Sequence, residues 1–358
     1  MRLTRFFSLI AFFCISSSAY AYQDVSLGVL GGYAGNLFAD SFNIGNSYLV
    51  SNVSVASVNF QNIKLRLSYD FYYTDYNTDN PINNMFHIPG ITVYQRNRNR
   101  RFRWGISSYL SFKDYVNSEA TFDSRRFYGI ADCSYYLTRG LQAKAQYKIN
   151  RFQYSNYHSL DIIEHGLEAE VVNTMPTRTT LRGTLRYGIR QFDEDKITFH
   201  WYDTEGAVSQ SLDLKTGISL TFSRRWSNGG TRPLSTYYII SGITSFWDPW
   251  KGNQVGLSIK RILPFAIVMK LDGEYWNRRF TYDPVIRNQF WWLRFSEGRW
   301  DDGWLAKTDL SYQFNRFYLI GKTVRLNAVA GYSSNNSNDS YYSYDGIFAQ
   351  GRMEIQIF

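Results

Sequence analysis

Three arginines, Arg182, Arg186 and Arg190, recur four residues apart within one segment of alternating apolar and polar residues. Residues an even number apart in an extended strand point to the same side, so the three guanidinium groups form a row. A guanidinium binds a carboxylate or phosphate through two parallel hydrogen bonds. This row therefore predicts contact with anions, and Arg101 and Arg103 form a second, shorter example.

The residue types that catalyse hydrolysis are present but not well placed. A nucleophile and its base must lie within hydrogen-bond reach, whereas His158 and Ser159 would point to opposite faces of a strand. Acids and a histidine at an external rim would activate water, and one segment read as a long loop offers Asp193, Asp195, His200 and Asp203. No specific spacing supports either arrangement. We predict no catalytic residue, no metal site and no cofactor.

The elements that must hold these side chains are strands. In residues 63–73, apolar Ile63, Leu65 and Leu67 alternate with polar Lys64 and Arg66, and the rhythm continues to the end of the segment. The same alternation recurs along most of the chain, and the last third shows no helical apolar stripe. Lipid-facing and lumen-facing side chains of a transmembrane β-barrel alternate in this way. The pattern predicts an all-β fold: one transmembrane antiparallel β-barrel.

About 16 strands are expected, and 14 remains an alternative. Their predicted ranges are 25–47, 48–60, 63–76, 86–98, 101–114, 123–137, 141–155, 159–173, 178–192, 208–223, 235–247, 251–262, 265–280, 301–315, 322–335 and 341–358. Tight connections such as 61–62, 138–140 and 263–264 alternate with longer ones at 77–85, 193–207 and 281–300. The connection 224–234 is long where a short one is expected. Pro89, which cannot donate to a ladder, is expected at a bulge or before a strand begins.

The N-terminal segment has the three parts of a secretory signal peptide. Arg2 and Arg5 form a positive region, residues 6–15 are apolar, and residues 19–21 read Ala-Tyr-Ala, an A-x-A cleavage site. The apolar run is shorter than the roughly 20 residues that a membrane-spanning helix needs. We therefore divide the chain into a signal peptide at 1–21 and a barrel at 22–358.

Composition narrows the class of protein further. Apolar residues make up 44% of the chain and the mean hydropathy is −0.35, values that exclude a polytopic helical membrane protein. Aromatic residues reach 18%, which suits the aromatic belts of a barrel. The net charge of +9 falls to +7 without Arg2 and Arg5. Its basic residues are spread singly along the chain, so we expect no nucleic-acid partner.

The signal peptide, the alternating strands and the aromatic C-terminal residue, Phe358, together resemble the porin-like outer-membrane β-barrels of Gram-negative bacteria. This resemblance implies an outer-membrane location with both termini in the periplasm, and contact with outer-membrane lipid and lipopolysaccharide. It also implies insertion by the barrel-insertion machinery through the C-terminal strand ending at Phe358, although Phe358 falls on the face opposite Met353, Ile355 and Ile357. Whether the chain forms a homo-oligomer is open.

A barrel of about 16 strands is too wide for its own side chains to fill. The predicted inward bases outnumber the predicted inward acids about two to one, and charged residues lining a pore set its selectivity. The bases expected to line the pore include Lys64, Arg66, Arg101, Arg103, Arg126, Arg182, Arg186, Arg190, Lys260, Lys270 and Arg325. We expect too few local acids to neutralise the Arg182 row. The alternative is that these bases pair with acids on neighbouring strands and only stiffen the wall.

The leading hypothesis is an outer-membrane channel that prefers anions and passes small anionic solutes or acidic oligosaccharides. A second hypothesis is a surface receptor or a secretion or assembly barrel that acts through its external loops, and a third is an outer-membrane hydrolase. Phe290, Trp291 and Trp292 lie in a long connection that is apolar enough to form a constriction or a loop contact.

Overall fold

The computed structural model describes residues 22–34, 46–59, 63–76, 84–96, 101–115, 123–156, 158, 161–193, 198–228, 230–231, 250–282, 299–317, 321–338 and 343–356. The predicted signal peptide at 1–21 and the C-terminal Phe358 lie outside these residues. Among the described residues, no helix has the length and hydropathy that crossing a membrane requires.

Strands make up nearly all of the described chain. Sixteen of them have 12 to 19 residues, and one more, β12, has two. Their bounds are β1 Tyr22–Ala34, β2 Asn46–Asn59, β3 Ile63–Tyr76, β4 Asn84–Arg96, β5 Phe102–Tyr115, β6 Ser124–Tyr136, β7 Leu141–Tyr154, β8 Ile162–Thr174, β9 Thr179–Phe192, β10 Thr198–Ser211, β11 Thr216–Ser227, β12 Gly230–Thr231, β13 Trp250–Ile262, β14 Val268–Tyr282, β15 Arg299–Phe317, β16 Gly321–Ser337 and β17 Tyr344–Gln356.

The sixteen long strands form one closed antiparallel meander. Each pairs with its neighbour in the sequence, β11 pairs with β13, and β1 pairs with β17, for example through Val29 and Met353. The short β12 lies parallel to the end of β14, where Gly230 pairs with Thr281. Closure satisfies the backbone hydrogen bonds of both terminal strands and leaves no free edge, which is what a wall in hydrocarbon requires. The predicted barrel is confirmed.

The connections differ in length at the two ends of the barrel. At one end, which we call the short-turn end, they are 60–62, 97–101, 137–140, 175–178, 212–215, 263–267 and 318–320. The connections at the opposite, long-loop end are all at least as long, and two of them, 228–249 and 283–298, are much longer. The segment 224–234, which was expected to be a long connection at the short-turn end, belongs partly to β11 and partly to the long-loop end. The alternation of short and long connections therefore has no exception there.

One predicted strand and one predicted loop were wrong. Residues 208–223 were read as one strand, but the chain turns at 212–215, so that range joins the end of β10 to the start of β11. The predicted long loop 193–207 is likewise mostly strand, since β10 begins at Thr198. The predicted strand 235–247 lies outside the described residues. The predicted number of about 16 strands agrees with the sixteen long strands among the described residues.

The two faces of the wall differ as a membrane barrel requires. In β9, Leu185 is 62% exposed, whereas its neighbour Thr184 is 2% exposed. Large apolar side chains on the outer face, such as Leu167, Leu220 and Ile347, are similarly exposed because nothing in the chain covers them. The outer face is therefore an apolar surface suited to lipid, and the inner face carries the polar residues.

Histidines on this outer face are paired with tyrosines. Each pair is diagonal across two neighbouring strands, with the Tyr Oη 2.6 to 2.8 Å from the His Nδ1. The pairs are Tyr69 with His87, Tyr147 with His165 and Tyr187 with His200. Each contact satisfies a polar ring on an apolar surface. These three histidines therefore have structural partners.

Pro89 lies inside β4, neither at a bulge nor before the strand begins, so that prediction was wrong. It pairs with Tyr69 of β3, but the ladder to β5 is interrupted at residues 88–89. The register is the same on both sides of the gap, where His87 pairs with Phe112 and Gly90 with Tyr109. The missing N–H of proline thus leaves a local gap in the β4–β5 ladder but does not change the register.

Candidate functional site in the barrel lumen

Most bases predicted to line the pore lie on inward faces, opposite the exposed apolar residues. These are Arg66, Arg103, Arg126, Arg182, Arg186, Arg190, Lys260, Lys270 and Arg325. Arg101 lies in the connection just before β5, and Lys64 is in β3 but its side chain is outside the described structure. Phe290, Trp291 and Trp292, the predicted constriction, also lie outside the described residues.

An in-register row of alternating charge crosses β8 to β11. Glu168, Arg186, Asp203 and Arg225 are successive cross-strand partners. Arg186 Nε donates to Glu168 at 3.3 Å, and Arg225 Nη2 donates to Asp203 at 2.8 Å. Lys148 extends the network on β7 through a 2.8 Å contact with Glu168. Opposite charges directly across from each other stabilise a sheet pair, so this part of the wall is held by its own ion pairs.

A second network lies nearer the long-loop end. Arg190 Nε donates to Glu164, and both side chains are only 5% exposed. Asn150 Nδ2 donates to Glu164 at 2.9 Å, while Asn150 Oδ1 accepts from Arg126 Nε at 2.6 Å. The carboxylate of Glu164 therefore has two donors, as a buried charge needs.

The ion pairs correct the view that local acids are too few to neutralise the arginine row. Arg182 Nη2 lies 2.6 Å from Glu205, and Arg186 contacts three different carboxylates. Arg190 pairs with Glu164. The alternative, in which inward bases pair with acids on neighbouring strands, describes this region. The row is therefore a poor candidate for binding a passing anion.

Unpaired bases lie on a different part of the wall. Arg66, Arg103, Arg126 and Lys144 form no ion pair with any carboxylate in the described part of the chain, and they lie on β3, β5, β6 and β7. Lys144 faces Glu170 in register without an ion-pair contact. Arg66 and Arg103 are exposed inside the barrel. We call the inward face of β3 to β7 the basic wall.

Arginine and tryptophan alternate on the inner face of β10 to β14. The guanidinium of Arg225 lies between Trp201 and Trp250, 5.5 and 4.5 Å from the two ring centroids. Arg278 lies between Trp250 and Trp276 at 5.1 and 4.9 Å. Cation–π contacts of this kind contribute about 0.5 to 2 kcal/mol each, more when water is excluded. The stack holds Arg225 and Arg278 between the three tryptophan rings.

Glycines let several inward aromatic rings lie flat on the wall. Trp201 covers Gly188, its direct partner on β9, so closely that a Cβ there would be 2.0 Å from the indole. Trp276 covers Gly303 in the same way at 2.4 Å. Any larger residue on the opposite strand would push the ring into the lumen. The glycines therefore keep space inside the barrel.

Burial changes along the barrel axis. Inward side chains toward the long-loop end, among them Lys113, Asn150 and Asp301, are buried. Inward bases toward the short-turn end are open to solvent, with Arg325 and Lys270 about half exposed at 55% and 47%. They contact acids, Arg325 with Glu354 and Lys270 with Asp272, but only on one side. The inner wall is thus more open to solvent in the short-turn half of the barrel.

The residues considered for catalysis do not converge. His200 and Asp203 are in β10, not in a loop, and they lie on opposite faces, His200 outward against Tyr187 and Asp203 inward against Arg225. His158 contacts Asp161 at 3.3 Å, and Asp161 is held by the backbone N–H of Tyr154. Within the described ranges, no three His, Cys, Asp or Glu side chains are grouped as a metal site.

Sequence reasoning missed several inward charges. They are Glu164, Asp203, Glu205, Arg225, Arg278 and Asp301. Asp203 and Glu205 were missed because their strand was read as a loop, and Arg225 because its segment was read as a connection. Even spacing from Glu168 placed Glu164 on the inward face, so that signal was present. With these acids included, the inward basic excess falls below two to one.

Known structures share this fold at low sequence identity. OccAB1 of Acinetobacter baumannii is 9% identical, with a TM-score of 0.55 and coverage of 95% of this chain and 99% of that one. The outer membrane protein OpdK of Pseudomonas aeruginosa is 10% identical, with a TM-score of 0.54 and coverage of 94% and 99%. A bacterial polysaccharide outer membrane secretin is 9% identical, with a TM-score of 0.51 and coverage of 93% and 98%.

No protein-family model matches the chain. A search of curated proteins likewise finds no match. The fold itself is clear from closure, strand number and these structural neighbours. The chain is a porin-like outer-membrane β-barrel in fold.

Proposed function

We propose that this protein is an outer-membrane channel that prefers anions and passes small anionic solutes or acidic oligosaccharides. The observation that carries the proposal is the basic wall, where Arg66, Arg103, Arg126 and Lys144 lack ion-pair partners among the described residues. An unpaired base in a wet lumen attracts anions and repels cations, and the neutralised row at Arg182 to Arg190 does neither strongly.

The barrel is proposed to sit with its short turns and both termini in the periplasm. Bacterial barrels of this architecture have short periplasmic turns and longer external loops, and the two ends of this barrel differ in that sense. The solvent-open bases Lys270, Arg325 and Arg352 would then line a periplasmic vestibule.

Outer-membrane lipid and lipopolysaccharide are the proposed surroundings of the apolar outer face, and the barrel-insertion machinery is the proposed partner of the C-terminal strand. We assign no enzymatic activity, because the histidines described in strands face outward against tyrosines and the inward acids Glu164, Glu168, Asp203 and Glu205 pair with bases.

The test is the reversal potential of the refolded mature protein in a planar bilayer with a potassium chloride gradient. A stable conductance whose reversal potential has the sign of anion preference supports the proposal. A cation-selective pore, or a folded barrel without conductance, would contradict it.

A further inference from the structure

Partly exposed tyrosines lie beside the unpaired arginines of the basic wall. Tyr94, Tyr109 and Tyr128 are inward residues of β4, β5 and β6, and each keeps part of its ring open to the lumen. Arg126 lies 5.1 Å from the ring centroid of Tyr128, and Arg103 lies 5.7 Å from that of Tyr94. Flat apolar rings and cationic groups are thus side by side.

Tyr109 and Tyr128 form a continuous platform. They are direct cross-strand partners with centroids 6.4 Å apart and ring planes inclined by 31°. Tyr109 lies over Gly90, where a Cβ would come within 2.5 Å of the ring. Because Gly90 has no side chain, the Tyr109 ring can lie close against the wall.

Hydroxyl groups border the platform on the short-turn side. Thr92 Oγ1 lies 3.0 Å from Ser107 Oγ and 3.4 Å from the Tyr109 hydroxyl. On the long-loop side, Arg126 is fixed by its hydrogen bond to Asn150, and its remaining guanidinium nitrogens have no carboxylate partner among the described residues. The platform therefore combines stacking surface, hydroxyl donors and acceptors, and a positioned cation.

From this arrangement we infer that the platform of Tyr109 and Tyr128, with Arg126, is a binding subsite for a sugar ring that carries a carboxylate. A small inorganic anion needs only the charge and gains nothing from two flat rings. A pyranose presents a flat face of C–H groups that packs on an aromatic face, and hydroxyls at its rim that hydrogen-bond. The carboxylate of a uronic acid then accepts from Arg126. This inference rests on the proposed function and specifies its substrate class.

The test is equilibrium binding to the refolded full chain in detergent micelles, which does not require an open pore. Isothermal titration compares a tetramer of galacturonic acid with neutral maltotetraose and with succinate, a dicarboxylate without a ring. We expect the tetrauronate to bind at least tenfold more tightly than either comparison ligand. Equal binding of succinate would show that charge alone is recognised. Equal binding of maltotetraose would show that the carboxylate, and with it Arg126, contributes nothing to affinity. Either result, or no binding of the tetrauronate, overturns the inference.

Variants connect binding to the platform. The pair Tyr109→Ala and Tyr128→Ala should weaken tetrauronate binding about tenfold, whereas Tyr109→Phe with Tyr128→Phe should retain most of it. Tyr202→Ala, on the outer face, is the matched control and should bind normally. Folding is checked by heat-modifiable electrophoretic mobility, and Tyr128→Leu alone replaces the double variant if that fails to fold. Unchanged affinity in the folded variant overturns the inference. A failure of the proposed anion-preferring channel would instead appear in the reversal potential, so the two failures are distinguishable.

Discussion

The buried pair of Arg190 and Glu164 gives the most quantitative prediction. Both side chains are 5% exposed, so solvent screens the pair weakly, and Glu164 would keep only the Asn150 hydrogen bond if Arg190 were removed. Leaving one charge of a buried pair without its partner typically costs about 3 to 5 kcal/mol. We expect Arg190→Met to reduce the free energy of unfolding by that amount.

Replacing both charges should behave differently. Arg190→Met combined with Glu164→Gln removes the uncompensated charge and keeps a side-chain acceptor for the buried Asn150 Nδ2, so its cost should be only about 1 kcal/mol. Urea unfolding of the barrel in lipid vesicles, followed by tryptophan fluorescence, measures both variants. If the single and double variants were equally destabilised, the charge of Glu164 would not be the cause and the reasoning would be refuted.

Three further changes test local features of the wall. Gly188→Ala should push Trp201 off the wall and lower single-channel conductance, while Gly206→Ala, with open space around it, should not. Gly252→Ala should reduce refolding yield measured by electrophoretic mobility, because its φ of 153° is unfavourable for other residues and a Cβ would lie 1.8 Å from a backbone oxygen. The backbone N–H of Lys215 holds the pKa of Asp213 below its usual range, so its stabilisation exists above about pH 4 and is lost as pH falls through the folded-state pKa. The urea midpoints of wild type and Asp213→Asn should therefore converge in acid, and a constant difference would contradict this.

Regular alternation made most of the barrel predictable from sequence. In β9, apolar Leu181 and Leu185 lie on one face and polar Thr184 and Arg186 on the other, so the two faces are unambiguous. The segment around β10 could not be read this way, because its inward face mixes Trp201 with charged residues.

The turn after β10 was hidden for a related reason. Leu212 and Leu214 are exposed at 63% and 85%, so the turn at 212–215 continues the apolar alternation of the strands on both sides. A turn normally shows polar residues or glycine. Without that turn, the position of Asp203 on the inner face could not be derived.

Ion pairing was the least predictable part of the candidate site. Which acid meets which base depends on the register between strands, and register depends on where each turn lies. With the turn at 212–215, Asp203 is directly opposite Arg186, and Glu205 is opposite Thr184, between Arg182 and Arg186, which it contacts. The acids of β10 thus neutralise Arg182 and Arg186, whereas Arg190 is neutralised by Glu164 of β8.

The central claim is that unpaired bases, not the paired row, set the preference for anions. At about 6 Å in water, the electrostatic interaction of one base with a monovalent ion is about 0.7 kcal/mol, favourable for an anion and unfavourable for a cation. Salt at 0.1 M roughly halves this interaction energy. Because the base stabilises an anion by as much as it destabilises a cation, the two differ in free energy by about 0.8 kcal/mol. Each base therefore changes the anion-to-cation permeability ratio roughly fourfold.

The decisive measurement is the reversal potential of two paired variants in the same salt gradient. Arg66→Gln with Arg103→Gln removes two unpaired charges, each changing the ratio roughly fourfold, and should lower the anion-to-cation permeability ratio roughly fifteenfold. Arg182→Gln with Glu205→Gln removes an ion pair without changing net charge and should leave the ratio nearly unchanged. A larger shift in the second variant than in the first would contradict the account.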